Sequence, residues 1–313
     1  MTTPHATSTA DMRSRWAGAR SLLFVPAHVE RFYTSALKSE ADVLVLDLED
    51  AVPVPKKQEA RHTVVESLRK QRPSKPTLVR VNDHETEFHD QDVAELAAAG
   101  VDGFILPKVR CPADVDAFDQ RLQALEAESP PPAGRFVIFP LIETAGAVLS
   151  ARDIALASPR VVGLVFGHED YLLDICAEHG ETRANLIVPR SQIVLAARAA
   201  GCTPIDTPYL DIKNVEGCRS YVKESRALGF SGMLVLHPLQ VSEANAGYSP
   251  SDEDIANARH VVRIDREAKE GNRSIAFTEG KFVAPPIVKQ AEALLHRAEQ
   301  LGMDAHSNRG EQL

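Results

Sequence analysis

Two carboxylates sit just past the ends of consecutive apolar runs. Glu143 closes the run 136–142, and Asp170 follows the run 161–166 after Gly167, His168 and Glu169. Each run is short, β-branched and aromatic, and is bounded by Pro or Gly, the pattern of a buried strand. In parallel α/β folds the C-terminal strand ends carry the active site. Two carboxylates converging there, with coordination positions to spare, suit a hard oxygen-liganded cation such as Mg2+. Each acid, like Glu169, has a rival reading as a first-turn helix residue favoured by the helix dipole. Their pairing on adjacent strands favours the metal.

Three further segments could carry chemistry. Asp47, Glu49 and Asp50 crowd the end of the second candidate strand, which is costly unless cations neutralise them or protons are shared. A hydrogen-bonded turn is the alternative for any one of them. Arg80 lies inside an apolar strand, where a buried cation needs an anion. Its planar fork suits a substrate carboxylate, and an internal salt bridge to Glu49 or Asp50 is the competing role. Lys108 follows the fourth strand. A strand-end lysine can form a Schiff base, but the nearby carboxylates would keep it protonated, which favours ion pairing. His237, after the last strand, reads as a hydrogen-bonded structural residue.

The elements that must position these groups alternate regularly. Candidate strands cover 21–25, 43–48, 77–81, 103–106, 136–141, 161–166, 203–205 and 232–236, with amphipathic stretches between them. Strand then helix, eight times over, implies parallel strands with crossover helices. The expectation is an α/β fold, a (β/α)8 TIM barrel with a C-terminal helical extension. A doubly wound open sheet is the alternative, weakened because no Gly-x-Gly-x-x-Gly follows the first strand. The expected organisation is a disordered arm over 1–19, the barrel over 20–247, a helical extension or lid over 248–302, and a disordered tail over 303–313.

The 313 residues, 44% hydrophobic and 25% charged, suffice for one such barrel plus extra helices. A net charge of −9 argues against a general nucleic-acid or anionic-membrane binder. No apolar segment is long enough to span a membrane, and the first twenty residues lack a secretory core. The four cysteines show neither C-x-x-C nor zinc-finger spacing, so reduced thiols and a cytoplasmic setting are expected.

Taken in order, the segments resemble the citrate lyase beta subunit-like family within the HpcH/HpaI aldolases. The matching pieces are Arg20 to Pro26, Asp47 to Val52 with Ala60-Arg61, Val79 to Asn82, Leu106 to Val109, Ile142 to Thr144 and Phe166 to Asp170. Later come Ala196 to Gly201, Ile205-Asp206, Leu228 to Gly232 and His237 to Gln240. The resemblance implies a trimeric or hexameric barrel with Mg2+ on Glu143 and Asp170, and Arg80 holding the substrate's acid end. Glu49 or Asp50 would orient Arg80, and Arg20 and Lys108 would lie near a CoA moiety. The implied reaction makes or breaks a carbon–carbon bond in a β-hydroxyacyl thioester such as malyl-CoA or citramalyl-CoA. Alternatives are a citryl thioester on an acyl carrier protein, within a citrate lyase complex, and an aldolase on free 2-oxo acids. Three departures stand out. Ala284 replaces an aspartate on which synthase and thioesterase members rely, Met233 replaces a lysine, and His168 replaces a small residue beside the metal site.

Overall fold

The computed structural model describes residues 9–128, 136–180, 182–270, 276–278 and 281–303. The proline run at 130–132 and the tail from residue 304 lie outside these.

Eight strands close into one barrel in sequence order, every neighbour parallel. They are β1 (Ser21–Pro26), β2 (Val43–Asp47), β3 (Thr77–Arg80), β4 (Gly103–Leu106), β5 (Val137–Ile142), β6 (Gly163–Phe166), β7 (Thr203–Asp206) and β8 (Gly232–Val235). β8 returns to β1 with Met233 opposite Ser21, which rules out the open sheet. Helix α1 (Thr9–Ala17) precedes β1. The crossovers are α2 (Glu30–Leu37), α3 (Lys57–Lys70), α4 (His89–Ala98), α5 (Pro112–Glu128), α6 (Ala145–Leu149) with α7 (Ala151–Leu156), α8 (His168–Asp174) with α9 (Ala184–Ala200), and α10 (Val215–Leu228); α11 (Pro238–Tyr248) follows β8.

Strands buried on both faces read as continuous apolar runs, yet the two-residue period still sorts their side chains. Leu22, Val45, Leu78, Ile105, Phe139, Leu141, Val165, Ile205 and Leu234 form the inner cluster. Leu23, Leu44, Leu46, Val79, Phe104, Ile138, Leu164 and Val235 join the outer layer under the helices. Continuing the inner parity to the strand ends brings Asp47, Arg80, Glu143, Gly167 and Thr207 to the barrel mouth.

The N-terminal segment is a correction to the expected disordered arm. Its described part is helix α1, with Met12 and Trp16 only 5% and 2% exposed. Trp16 stands edge-on to Phe139 at 5.2 Å and belongs with the inner cluster. The apolar filling of a barrel must be shielded from water at the end away from the mouth, and two anchors on an otherwise polar helix do this. Too few apolar positions mark such a helix for its periodicity to be legible.

A second compact unit begins at Ser249. It holds α12 (Asp252–Glu270), an antiparallel pair β9 (Ala276–Thr278) and β10 (Lys281–Val283), and α13 (Pro285–Gln300). The sequence reading had no strands there. Ala268, Val283 and Val288, with Val261 and Ile264, make its small core. No helix among the described residues is long and apolar enough to cross a membrane.

Candidate active site

The mouth holds a cavity of about 350 Å³ whose wall includes Asp47, Asp50, Arg80, Glu143, Gly167, His168, Glu169, Asp170 and Thr207. Phe24, Pro26, Leu141, Leu234 and Leu236 supply its apolar lining. Of the residues read from sequence, Asp47, Asp50, Arg80, Glu143 and Asp170 line this cavity, and Glu49 and Lys108 join them through ion pairs.

Arg80 is the hub. Its Nε and one terminal nitrogen donate to the two carboxylate oxygens of Asp47, each at 2.7 Å. The other terminal nitrogen lies 3.0 Å from Glu49 and 3.6 Å from Asp50. The Phe24 ring packs against the guanidinium at 4.8 Å, a cation–π contact. Glu49 and Asp50 were foreseen as partners, whereas the stronger, bidentate partner Asp47 was not assigned a role. Asp47 also accepts the backbone N–H groups of Glu49 at 3.0 Å and Ala51 at 3.3 Å, fixing the turn that carries the other two acids. Buried Lys57 clamps the same turn from behind, donating to the carbonyls of Leu48 at 2.8 Å and Glu49 at 2.6 Å. No sequence signal marked Lys57, because its role depends on folding of the turn over α3.

Glu49 bridges Arg80 and Lys108, whose Nζ lies 3.3 Å away. This ion pair supports the pairing role of Lys108 over a Schiff base. Burial opposes charge on both cations. Asp47 and Glu49 nonetheless hold Arg80, and Glu49 holds Lys108, protonated above their usual ranges. The backbone of Lys108 contributes as much as its side chain. Its φ of 51° is left-handed, a costly conformation for a side-chain-bearing residue, and its N–H donates to Glu143 Oε1 at 2.6 Å.

Glu143 is 2% exposed, and burial first, then the charge of Glu49, pushes its carboxyl up to about 8 against the Lys108 N–H. Burial likewise pushes Glu49 up to about 7, with Asp50 and Asp47 adding repulsion and Arg80 and Lys108 opposing. Carboxylates held so far above their normal range mark uncompensated negative charge in a low-dielectric site. Glu143 and Asp170 offer only oxygen donors, so the residues present fit a hard divalent cation such as Mg2+. Gly167 makes room, since a methyl group on it would meet Glu143 Oε2 at 2.7 Å.

Arg20 is not part of this arrangement. It precedes β1, at the opposite end of the barrel, where its guanidinium grips Asp42 at 2.8 and 2.7 Å. That position corrects its expected place near CoA, because the mouth lies a full strand length away. Met233 is likewise fully buried at the start of β8, within the outer packing layer. His237 accepts the Leu239 N–H at 3.1 Å and caps α11, the structural role read for it. Other motif residues brace loops. Arg61 pairs with Asp92 at 2.9 Å, and Asp92 accepts from the Asn82 amide side chain at 2.6 Å. Asp206 ties Arg190 at 2.6 Å to Ser225 at 2.5 Å.

The family model for HpcH/HpaI aldolase/citrate lyase matches residues 20–238. The chain belongs to this family. Citrate lyase subunit beta of Leuconostoc mesenteroides is 31% identical over 89% of this chain and 93% of its own. L-malyl-CoA/beta-methylmalyl-CoA lyase of Rhodobacter capsulatus is 31% identical over 90% and 94%. Among solved structures, CitE of Mycobacterium tuberculosis, in complex with magnesium, acetoacetate and coenzyme A, superposes with a TM-score of 0.73. It is 31% identical and covers 91% of this chain and 99% of its own. As a member of this family, the chain is a carbon–carbon lyase of the citrate lyase beta type.

Proposed function

We propose that this lyase cleaves a 3-hydroxyacyl-CoA thioester of the malyl-CoA or citramalyl-CoA type, with Mg2+, to acetyl-CoA or another acyl-CoA and a 2-oxo acid. The observation that carries this reading is the way Arg80 is held beside Glu143 and Asp170 in one cavity. A guanidinium has five N–H donors. Asp47 occupies two, while Glu49 at 3.0 Å and Asp50 at 3.6 Å, the latter 58% exposed, are paired with it by charge. Three donors thus stay available, enough for a substrate carboxylate that takes the place of Asp50.

Glu143 and Asp170 would hold Mg2+, which when bound supplies Lewis-acid polarisation of the substrate's hydroxyl and adjacent carboxylate. The chain's own groups do the rest. Arg80 anchors the acid end and, as the permanent cation among the cavity-lining residues, supports negative charge on the departing thioester enolate. Asp47 and Glu49 keep Arg80 flat and oriented, so Glu49 acts as a positioning residue. Lys108 N–H fixes one oxygen of Glu143. Leu141, Leu234, Leu236 and Phe24 exclude water and accommodate the carbon chain.

Ala284, the N-cap of α13, has no proton to exchange. This favours a lyase without thioester hydrolysis, although (3S)-malyl-CoA thioesterase of Cereibacter sphaeroides is 32% identical. The similarity to citrate lyase beta subunits supports a second reading, a citryl thioester on an acyl carrier protein. A homotrimer or hexamer is part of the proposal, and its mass in solution tests it. The deciding experiment is cleavage of malyl-CoA and citramalyl-CoA with and without Mg2+, detecting glyoxylate or pyruvate. Metal-dependent release of either supports the CoA reading. Silence on both from folded, Mg2+-loaded protein overturns it and moves weight to the carrier-protein thioester or a free 2-oxo acid.

A further inference from the structure

The segment after β6 carries a second ligand set that the lyase chemistry does not use. His168 Nε2 lies 2.7 Å from Glu169 Oε1, and His179 Nε2 lies 3.2 Å from Glu169 Oε2. One ligand atom from each residue can be chosen so that all three lie within 4.8 Å of one another. Around a tetrahedral zinc-type ion, bonds of about 2.0–2.2 Å place ligand atoms roughly 3.3 Å apart. The His168–Glu169 pair must open by about 0.6 Å and His179 must close in, adjustments that the exposed Glu169 and His179 side chains can supply. We propose that His168, Glu169 and His179 form a transition-metal site of the zinc class, separate from the magnesium carboxylates.

Three features support the assignment. First, His168 is 6% exposed and its Nδ1 is hydrogen-bonded to Thr207 Oγ1. Metal-bound imidazoles typically keep such a partner on the other ring nitrogen, which fixes ring orientation. Second, His168 and Glu169 border the active-site cavity, while His168 and His179 also border a further cavity of about 230 Å³ with Arg183 and Tyr221. An ion with three protein ligands retains an open position there. Third, that wall contains two donors without a hydrogen-bond partner, the Tyr221 hydroxyl, on a residue 2% exposed, and Arg183 Nε. An oxygen ligand on the open position would accept from them. Imidazole nitrogen selects zinc-class ions over Mg2+, whereas Glu143 and Asp170 provide oxygen alone.

The test uses the full chain in excess Mg2+, titrated with Co2+ as a coloured stand-in and, separately, with Zn2+ followed by dialysis and metal analysis. The expected result is one retained ion per chain, with Co2+ visible bands typical of low-coordinate nitrogen and oxygen ligation. His179→Ala should lose the ion and the bands while keeping Mg2+-dependent turnover. Glu143→Gln should keep both the ion and the bands. Thr207→Val should weaken retention about 10–100-fold. Absence of retained Co2+ and Zn2+ in the parent protein overturns the site, as does retention unchanged in His179→Ala. In either case the three residues form a hydrogen-bond network only. A signal lost instead in Glu143→Gln would place the ion at the magnesium carboxylates and equally overturn the proposal.

Discussion

Replacing Gly167 by alanine probes the metal site through a single methyl group. Gly167 has φ −111° and ψ 97°, an extended conformation open to any residue, so alanine brings no backbone strain. The added Cβ would stand 2.7 Å from Glu143 Oε2 and 2.9 Å from its Cβ, where ordinary contact begins at 3.4 Å. The carboxylate must retreat by about 0.7 Å. Its other oxygen is held by the Lys108 N–H at 2.6 Å, so the side chain cannot retreat without breaking that bond or tilting the ligand. Overpacking of this kind costs about 1–3 kcal/mol of stability. A 1 Å misplacement can cost about 100-fold in rate, so kcat/KM should fall about 10–100-fold. The assay is a Mg2+ titration of thioester cleavage beside urea unfolding. The expected signature is a raised Mg2+ requirement together with the rate loss. Gly146→Ala on α6 is the control, since nothing lies within 4 Å of its added Cβ and no loss is expected. Wild-type Mg2+ affinity and rate in Gly167→Ala would refute the assignment of Glu143 as a ligand placed by this contact.

Glu143→Ala or Asp170→Ala should abolish Mg2+-dependent turnover while leaving the far-ultraviolet dichroism unchanged; full activity in either variant removes it from the metal set. Arg80→Lys keeps the charge but not the fork, and losing a charged hydrogen bond worth about 1.5–3 kcal/mol predicts roughly 10–150-fold lower kcat/KM. That prediction fails if steady-state kinetics of the lysine variant match the parent. In Mg2+-free buffer, stability should fall as pH rises between about 4.5 and 8, because Glu49 and Glu143 are pushed up to about 7 and about 8 and the folded state binds more protons than the unfolded chain. Mg2+ should flatten this slope by favouring the ionised carboxylates. Thermal melts across that window check the sign, and a rise with pH in metal-free protein would contradict it.

Much of the site was legible from local pattern. Strand ends announce themselves by where an apolar run stops, so Glu143 and Asp170 could be placed at neighbouring ends, and Arg80 stood out as a charge inside such a run. The two-residue strand period carried more than was taken from it. Asp47 continues the inward positions 43 and 45, as Glu143 continues 137, 139 and 141, and Thr207 continues 205. Parity alone admits both Asp47 and Glu49, and it is the register of β2 on β3, with Asp47 directly opposite Arg80, that makes Asp47 the bidentate partner. The family resemblance placed Arg20 near CoA, but its position before β1 already set it at the far end of a parallel barrel.

What the sequence by itself determined is everything local: eight buried strands, the helices between them, and which acids and bases lie within a residue or two of each strand end. Burial and backbone periodicity act over a few residues and leave their mark there. Tertiary structure alone decided ring closure of β8 onto β1, the sealing of the far barrel end by Trp16, and the left-handed turn at Lys108 that points an N–H at Glu143. It also decided the meeting of His168 and His179 across Glu169. These depend on which segments become neighbours once the barrel closes. The strong shift at Glu143 has the same origin, because desolvation and the charge of Glu49 come from residues distant in sequence.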